Sequence, residues 1–465
     1  MANMPTCFIS MLFYMLVLLA FAHVHAEFNY TFDTGDDNSY FLLEEDEVRI
    51  LNLTITVSED ITLSFTSSDE SAFNVLNGKE YVYAADSPVT VQIEIQGVFV
   101  SVEKLRIEIT QGVEDYTIPD FTIKVLRPYS VLSDIFTYAL LLWLLISYVT
   151  MGTKMDFSII KTKFKPPTGI TIGLICQFFL MPLLAYGLAN AFKLSNESSV
   201  GLILDGTCPG GWLSNIFSLL LDCDFVLSLT MTFSSTILAL GMMPLNLFIY
   251  TRTFTDDNDD LKTPFFELAQ QLLILVIPVG IGIIILYKFP KATEICEKLL
   301  KPFATFLIVI ALGLGIPAEF YVFLSPWEIW MSSALFPLIG SILGLTFALI
   351  GRLDRQSAVT VALEVGVQNS LLAKTMVDLA YPEPESDLIA RIPLLIALLT
   401  LIEGTIITAV YILVKRLCHK EEDEADLVKD KKDVELTNGN KTGEPKTDIE
   451  AGAQSNPGFT PEANM

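Results

Sequence analysis

Histidine is nearly missing from this 465-residue chain, and its placement excludes whole classes of chemistry. His23, His25 and His419 all lie outside the apolar bulk, so a histidine proton relay, a histidine-ligated metal and a Ser-His triad are excluded there. Cysteine is scarce as well. None of Cys7, Cys176, Cys208, Cys223, Cys296 and Cys418 falls between residues 27 and 127, so no disulfide framework holds that region. Basic residues are outnumbered, with 29 Lys and Arg against 54 Asp and Glu, and the formal charge of −25 is concentrated towards the two termini. That balance argues against nucleic acid and against docking on anionic lipid. The chain has no His-Glu-x-x-His, no base partner for a serine and no paired aspartates in adjoining apolar segments, so an enzyme is not expected.

Apolar sequence is what the chain has in abundance. With 52% hydrophobic residues and a mean hydropathy of +0.51 it reads as a polytopic membrane protein with soluble appendages. Residues 1–26 carry an apolar run followed by Val24-His25-Ala26, the pattern of a signal peptide cleaved after Ala26. Residues 27–127 switch to period-two alternation, as in Leu51-Asn52-Leu53-Thr54-Ile55 and Val91-Gln92-Ile93-Glu94-Ile95. This predicts a small antiparallel β-sandwich ectodomain. Sequons at Asn29 and Asn52 fit an extracellular or lumenal face. The region offers no ligand candidate and is expected to fold alone.

Nine apolar segments follow, at 129–152, 168–192, 200–221, 225–250, 265–287, 303–323, 329–350, 357–381 and 388–413. Each is close to the ~20 residues a bilayer requires. With a translocated N-terminus, one set of loops carries Lys154, Lys161, Lys163, Lys165, Lys288, Lys291, Lys298, Lys301, Arg352 and Arg355. The other set holds only Lys193, Arg252, Lys262 and Arg391. The bias predicts an outside ectodomain and a cytoplasmic C-terminus, with the sequon at Asn196 outside. The membrane domain then spans 128–415, and 416–465 is expected to be a disordered acidic cytoplasmic tail.

Two of the apolar segments are interrupted. In Cys208-Pro209-Gly210-Gly211-Trp212-Leu213-Ser214-Asn215, proline and two glycines cannot continue a regular helix. In Val361-Ala362-Leu363-Glu364-Val365-Gly366-Val367-Gln368-Asn369-Ser370, a carboxylate lies among apolar residues without a basic neighbour. Gly366 loosens the helix there, which would free the carbonyls of Val365 and Val367. Paired broken spans point to a midplane site of a secondary transporter, and oxygen donors suit a hard cation. Two kinks tolerated by packing are the alternative. Ser228 and Thr232, one helical turn apart in the fourth segment, add two hydroxyls.

These strings resemble the bile acid:sodium symporter family. The resemblance runs from Met155-Asp156-Phe157 through the ninth segment, and includes Leu227-Ser228 with Met231-Thr232, and Leu240-Gly241-Met242-Met243-Pro244. It implies an all-α polytopic membrane protein of nine transmembrane helices in inverted repeats, built as a core and a panel, with the two broken helices crossing in the core. It also implies two sodium sites. One would comprise Ser214, Asn215, Ser228, Thr232 and Glu364, and the other Gln177, Glu364, Gln368 and the carbonyls of Val365 and Val367. On the substrate side it points to Asn369, Trp212, Thr400 and Glu403, of which Trp212 and Thr400 depart from the family pattern, as does Asp205. The leader and ectodomain are absent from the bile-acid carriers but resemble orphan members. Sodium-coupled symport of an amphipathic organic anion, such as a steroid conjugate, is the function implied. The alternative is a non-transporting receptor or regulator acting through its ectodomain.

Overall fold

The computed structural model describes residues 29–34, 39–56, 60–77, 81–83, 88–112, 114–155, 167–255, 264–289 and 309–439, with single positions at 261, 291 and 293. The expected signal peptide, Asp156-Phe157, the start of the sixth apolar segment and residues 440–465 lie outside the described residues.

The N-terminal region is a two-sheet sandwich. One sheet has the order β1-β3-β7-β5, built from β1 (Asn29–Asp33), β3 (Val48–Thr56), β7 (Pro88–Gly97) and β5 (Phe73–Val75). The other runs β2-β9-β8-β4-β6, from β2 (Tyr40–Glu44), β9 (Glu114–Leu126), β8 (Ser101–Gln111), β4 (Ile61–Ser67) and β6 (Tyr81–Tyr83). The alternating residues read from the sequence supply the core: Leu51, Leu53, Ile55, Val91, Ile93 and Ile95 from one sheet meet Leu63, Phe65, Ile107, Ile109 and Ile123 from the other. Burying each such side chain contributes ~1.5–3 kcal/mol, which sets the register because a one-residue slip would turn every one of them outward. One departure from the expected antiparallel pattern is β2 on β9, which pair in parallel.

Four residues separate β9 from the first membrane helix. We number the helices α1 (Val131–Gly152), α2 (Thr168–Ala191), α3 (Asn196–Thr207), α4 (Trp212–Leu220), α5 (Phe225–Tyr250), α6 (Phe265–Lys288), α7 (Trp327–Ile350), α8 (Arg355–Gly366), α9 (Ser370–Ala380) and α10 (Glu385–Gly439). Among the described residues, α1, α2, α5, α6, α7 and the Glu385–Leu417 part of α10 are the six helices long and apolar enough to cross a membrane. The protein is an integral membrane protein. The two interrupted segments are the pairs α3/α4 and α8/α9, each too short to span alone. Ser130, Ser195, Asp224, Asp354 and Asn369 cap α1, α3, α5, α8 and α9 with side-chain oxygens.

The last helix runs on to Gly439, past the point at 416 where composition alone implies a disordered tail. Glu, Asp and Lys dominate that stretch, and oppositely charged residues four apart, such as Lys420 and Glu424 or Lys429 and Asp433, favour a helix without any apolar face.

Candidate functional site

The site is made where the two breaks meet. Gly210 and Gln368 form an antiparallel bridge, Gly211 N–H donates to Val367 O at 3.0 Å, and Asn369 N–H donates to Pro209 O at 3.2 Å. Backbone groups left without helical partners by Pro209 and by the turn at Val367 thus satisfy one another inside the bundle. The glycines are needed for closeness. A Cβ on Gly210 would lie 2.4 Å from Glu364 Oε1, and one on Gly211 would lie 2.7 Å from Gln368 O. Gly366 ends α8, as its sequence position implies, but it also lies against α7, where a Cβ would meet Pro337 O at 2.7 Å.

Glu364, only 2% exposed, points from α8 into oxygens supplied by two other helices. Ser214 Oγ of α4 is 2.6 Å from its Oε2 and Ser228 Oγ of α5 is 3.2 Å from the same atom, while Thr232 Oγ1 contacts Oε1. Asn215 closes the ring, its Oδ1 2.9 Å from Ser228 Oγ and its Nδ2 3.2 Å from Thr232 Oγ1. All five residues inferred for the first ion site are therefore joined in one hydrogen-bonded cluster and buried. The donors are oxygens with a single carboxylate among them, which fits a hard monovalent cation rather than a transition metal.

The second set is also brought together. Gln177 Nε2 lies 2.5 Å from Gln368 Oε1 and 2.6 Å from Cys208 O, and Gln368 Nε2 donates to Val365 O at 2.8 Å. Val367 O is shared with Gly211 N–H. Gln177 owes its position to a π-helical turn at Cys176–Leu180 within α2, closed by Met181 N–H on Cys176 O. Pro182, which has no N–H to donate, is the sequence signal for that turn. Sequence reasoning missed two further groups. Ser235 Oγ accepts from Gly210 N–H at 3.2 Å, and Tyr148 OH of α1 accepts from Asn369 Nδ2 at 2.8 Å.

A small space beside the crossing is lined by Leu144, Ser147, Tyr148, Met151, Gly210, Trp212, Thr232 and Asn369, with a volume of about 10 Å³, room for one water and not for an organic anion. Of the four substrate-side candidates, Trp212 and Asn369 reach this space. Thr400 and Glu403 do not line it: they lie on α10, where neighbouring Gly404 packs against the ring of Phe217. Their one-turn spacing places them on a common face of α10.

Residues 141–325 match the model of the "Sodium Bile acid symporter family". The ileal sodium/bile acid cotransporter of Cricetulus griseus is 32% identical over 337 residues, covering 72% of this chain and 92% of that one. The chain belongs to the sodium bile acid symporter family. The sodium-dependent organic anion transporter of Bos taurus is 33% identical over 63% of this chain and 77% of its own length. The P3 protein of Homo sapiens is 33% identical over 56% and 55% respectively. This member of the family is a transporter by descent and not an enzyme. The hamster protein is matched almost end to end while more than a quarter of this chain is left over, a share larger than the β-domain.

Among the sequons, Asn29 and Asn196 are exposed, at the start of β1 and of α3. Asn52 is different: it lies within β3, half-buried, with its Oδ1 enclosed.

Proposed function

We propose that this chain is a sodium-coupled symporter of an amphipathic organic anion, steroid conjugate or bile acid-like, working by alternating access. Family membership supports sodium as the co-transported ion. The observation that carries the reading is the buried Glu364 carboxylate, contacted by Ser214, Ser228 and Thr232 where two broken helices cross. The ion stoichiometry we infer is two, with Glu364 common to both sets. One sodium would take Ser214, Asn215, Ser228, Thr232 and Glu364, and the other Gln177, Glu364, Gln368 and the carbonyls of Val365 and Val367. Two cations sharing one carboxylate order each other's ligands, so uptake should rise cooperatively with sodium, with a Hill coefficient between about one and two.

Nine membrane helices in inverted repeats, a translocated β-domain and a cytoplasmic C-terminus belong to the same reading, with Asn29 and Asn196 as glycan sites. Trp212, Asn369, Thr400 and Glu403 would face the substrate along its path, and the small volume beside Trp212 and Asn369 corresponds to a closed state. Uptake of labelled steroid sulfates, bile acids and other organic anions, in sodium against choline medium, tests it. Sodium-dependent accumulation with an inward current is expected for a monoanion, since one net charge crossing the membrane is worth ~2.3 kcal/mol per 100 mV. Sodium-dependent thermal stabilisation with no uptake of any anion would replace symport by the receptor reading.

A further inference from the structure

The β-domain is expected from its sequence to be a separate appendage, but its last residues enter a buried ion network on the membrane domain. Arg127, between β9 and α1, makes a two-pronged contact with Asp387 at the start of α10, Nε to Oδ2 at 2.8 Å and Nη2 to Oδ1 at 2.6 Å. Its Nη1 is 3.6 Å from Glu319 Oε2, and its guanidinium lies 4.0 Å over the ring of Tyr321. Glu319 Oε1 accepts from Ser133 of α1 at 3.0 Å and lies 3.6 Å from Lys374 Nζ of α9. Lys374 in turn contacts Asp378 and lies 3.3 Å from Thr137 Oγ1 of α1. Beside this chain of contacts, Lys124 of β9 pairs with Glu385 at 2.7 Å, both side chains almost fully enclosed. Arg391 donates to Val100 O at 2.9 Å and lies 5.0 Å from the Phe99 ring, in the turn between β7 and β8.

What the network covers matters as much as what it joins. Along α1 from Ser133, Phe136 beside Thr137 and then Leu140 and Trp143 enter an apolar cluster with Ala318, Trp212 and Leu371, the Trp143 and Trp212 rings 4.6 Å apart. Beyond them on the same helix come Leu144, Ser147, Tyr148 and Met151, which line the small space at the crossing. On the β-domain side, the space is therefore shut first by an apolar plug and then by the ion network, both bridging α1 to α9. A solute can enter from that side only if α1 and α9 part, which breaks the contacts of Thr137 and Glu319 with Lys374.

We propose that the β-domain is a working part of this gate, with Arg127 the residue that holds Glu319 and Asp387, and through Glu319 positions Lys374, so that α1, α9 and α10 stay closed over the site. The direction of opening rests on the transport reading above; the closure itself does not. The test is a Ser147→Cys reporter in the full chain at the cell surface, treated from the β-domain side with a charged, membrane-impermeant thiol reagent, against a background without the reporter. Labelling should be slow with Arg127 present, intermediate in Arg127→Lys, which keeps the charge but not the fork, and at least about tenfold faster in Arg127→Ala. Lys374→Met is the second variant, breaking the same contact from the membrane side, and should also speed labelling. Equal rates in all four surface-expressed proteins would overturn the gate, whatever uptake shows. Graded rates in a protein that moves no anion would keep the gate and remove the symport reading.

Discussion

Two buried polar regions of this protein are built on opposite electrostatic terms. At the crossing of the broken helices, Glu364 is surrounded by hydroxyls and an amide, and among the described residues no ion pair includes it. In the network under the β-domain, Lys124, Arg127 and Lys374 are matched against Glu385, Asp387, Glu319 and Asp378. The first region is short of one or more positive charges, which a cation can supply and a passing ion can leave. The second draws its counter-charges from the chain itself, three cations among four carboxylates, so it can hold elements together without a mobile ion. Burial is common to both; the difference lies in whether the counter-charge is covalently part of the protein.

The comparison predicts different outcomes for removing one charge from each region. Lys374→Met leaves Asp378 without its cation and Glu319 with Arg127 alone, and should cost ~3–5 kcal/mol of stability, read as a lower thermal midpoint with and without sodium. Glu364→Gln keeps the shape and removes the only anionic donor at the crossing. It should leave the sodium-free midpoint nearly unchanged, yet abolish the sodium-dependent rise and lower sodium affinity by at least about 100-fold, or ~2.7 kcal/mol. If Glu364→Gln retained wild-type sodium-driven uptake at normal surface expression, the crossing would not be the ion site. A smaller effect sharpens the picture within that region. Asn215→Ala and Gln368→Ala each touch one ligand set, so each should weaken sodium by about tenfold and flatten its concentration dependence towards a Hill coefficient of about one.

The smallest effect concerns pH at the docking surface. Burial raises the carboxyls of Glu45, Glu197 and Glu383, outweighing for Glu45 the Val100 N–H that donates to it at 2.8 Å. A raised folded pKa means that the folded state holds the proton more tightly than the unfolded one. The stability it contributes is full below the unfolded value of ~4.3 and is lost as pH rises through the folded value. The thermal midpoint should therefore climb modestly on mild acidification, and Glu45→Gln, which keeps the accepting oxygen for Val100, should flatten that climb. A midpoint that falls on acidification, unaltered by Glu45→Gln, would contradict the assignment of burial as the dominant cause.

Much of the membrane site was legible because breaking a helix in lipid requires residues that stand out. Pro209, Gly210, Gly211 and Gly366 mark the breaks, and Glu364 announces itself by its cost. The alternation at Leu51, Leu53 and Ile55 likewise declared a sheet. On the substrate side, Thr400 and Glu403 share a face by spacing, but nothing in the spacing says which helix that face meets. The network was invisible for a related reason: Arg127 is separated from Glu319 and Asp387 by about two hundred residues and more, and a charge near the end of an apolar segment looks the same whether it is solvated or paired.

By itself the sequence determined the class, an oxygen-rich broken-helix transporter with a β-domain in front, because local chemistry dictates where a helix must stop and which face must be buried. Only the tertiary structure decided that Gly210 meets Gln368, that a π turn aims Gln177 at them, and that Arg127 joins the two domains. Each of those pairings is a contact between segments far apart in the chain, fixed by close packing and by the need of every buried polar group to find a partner, and no local pattern encodes it.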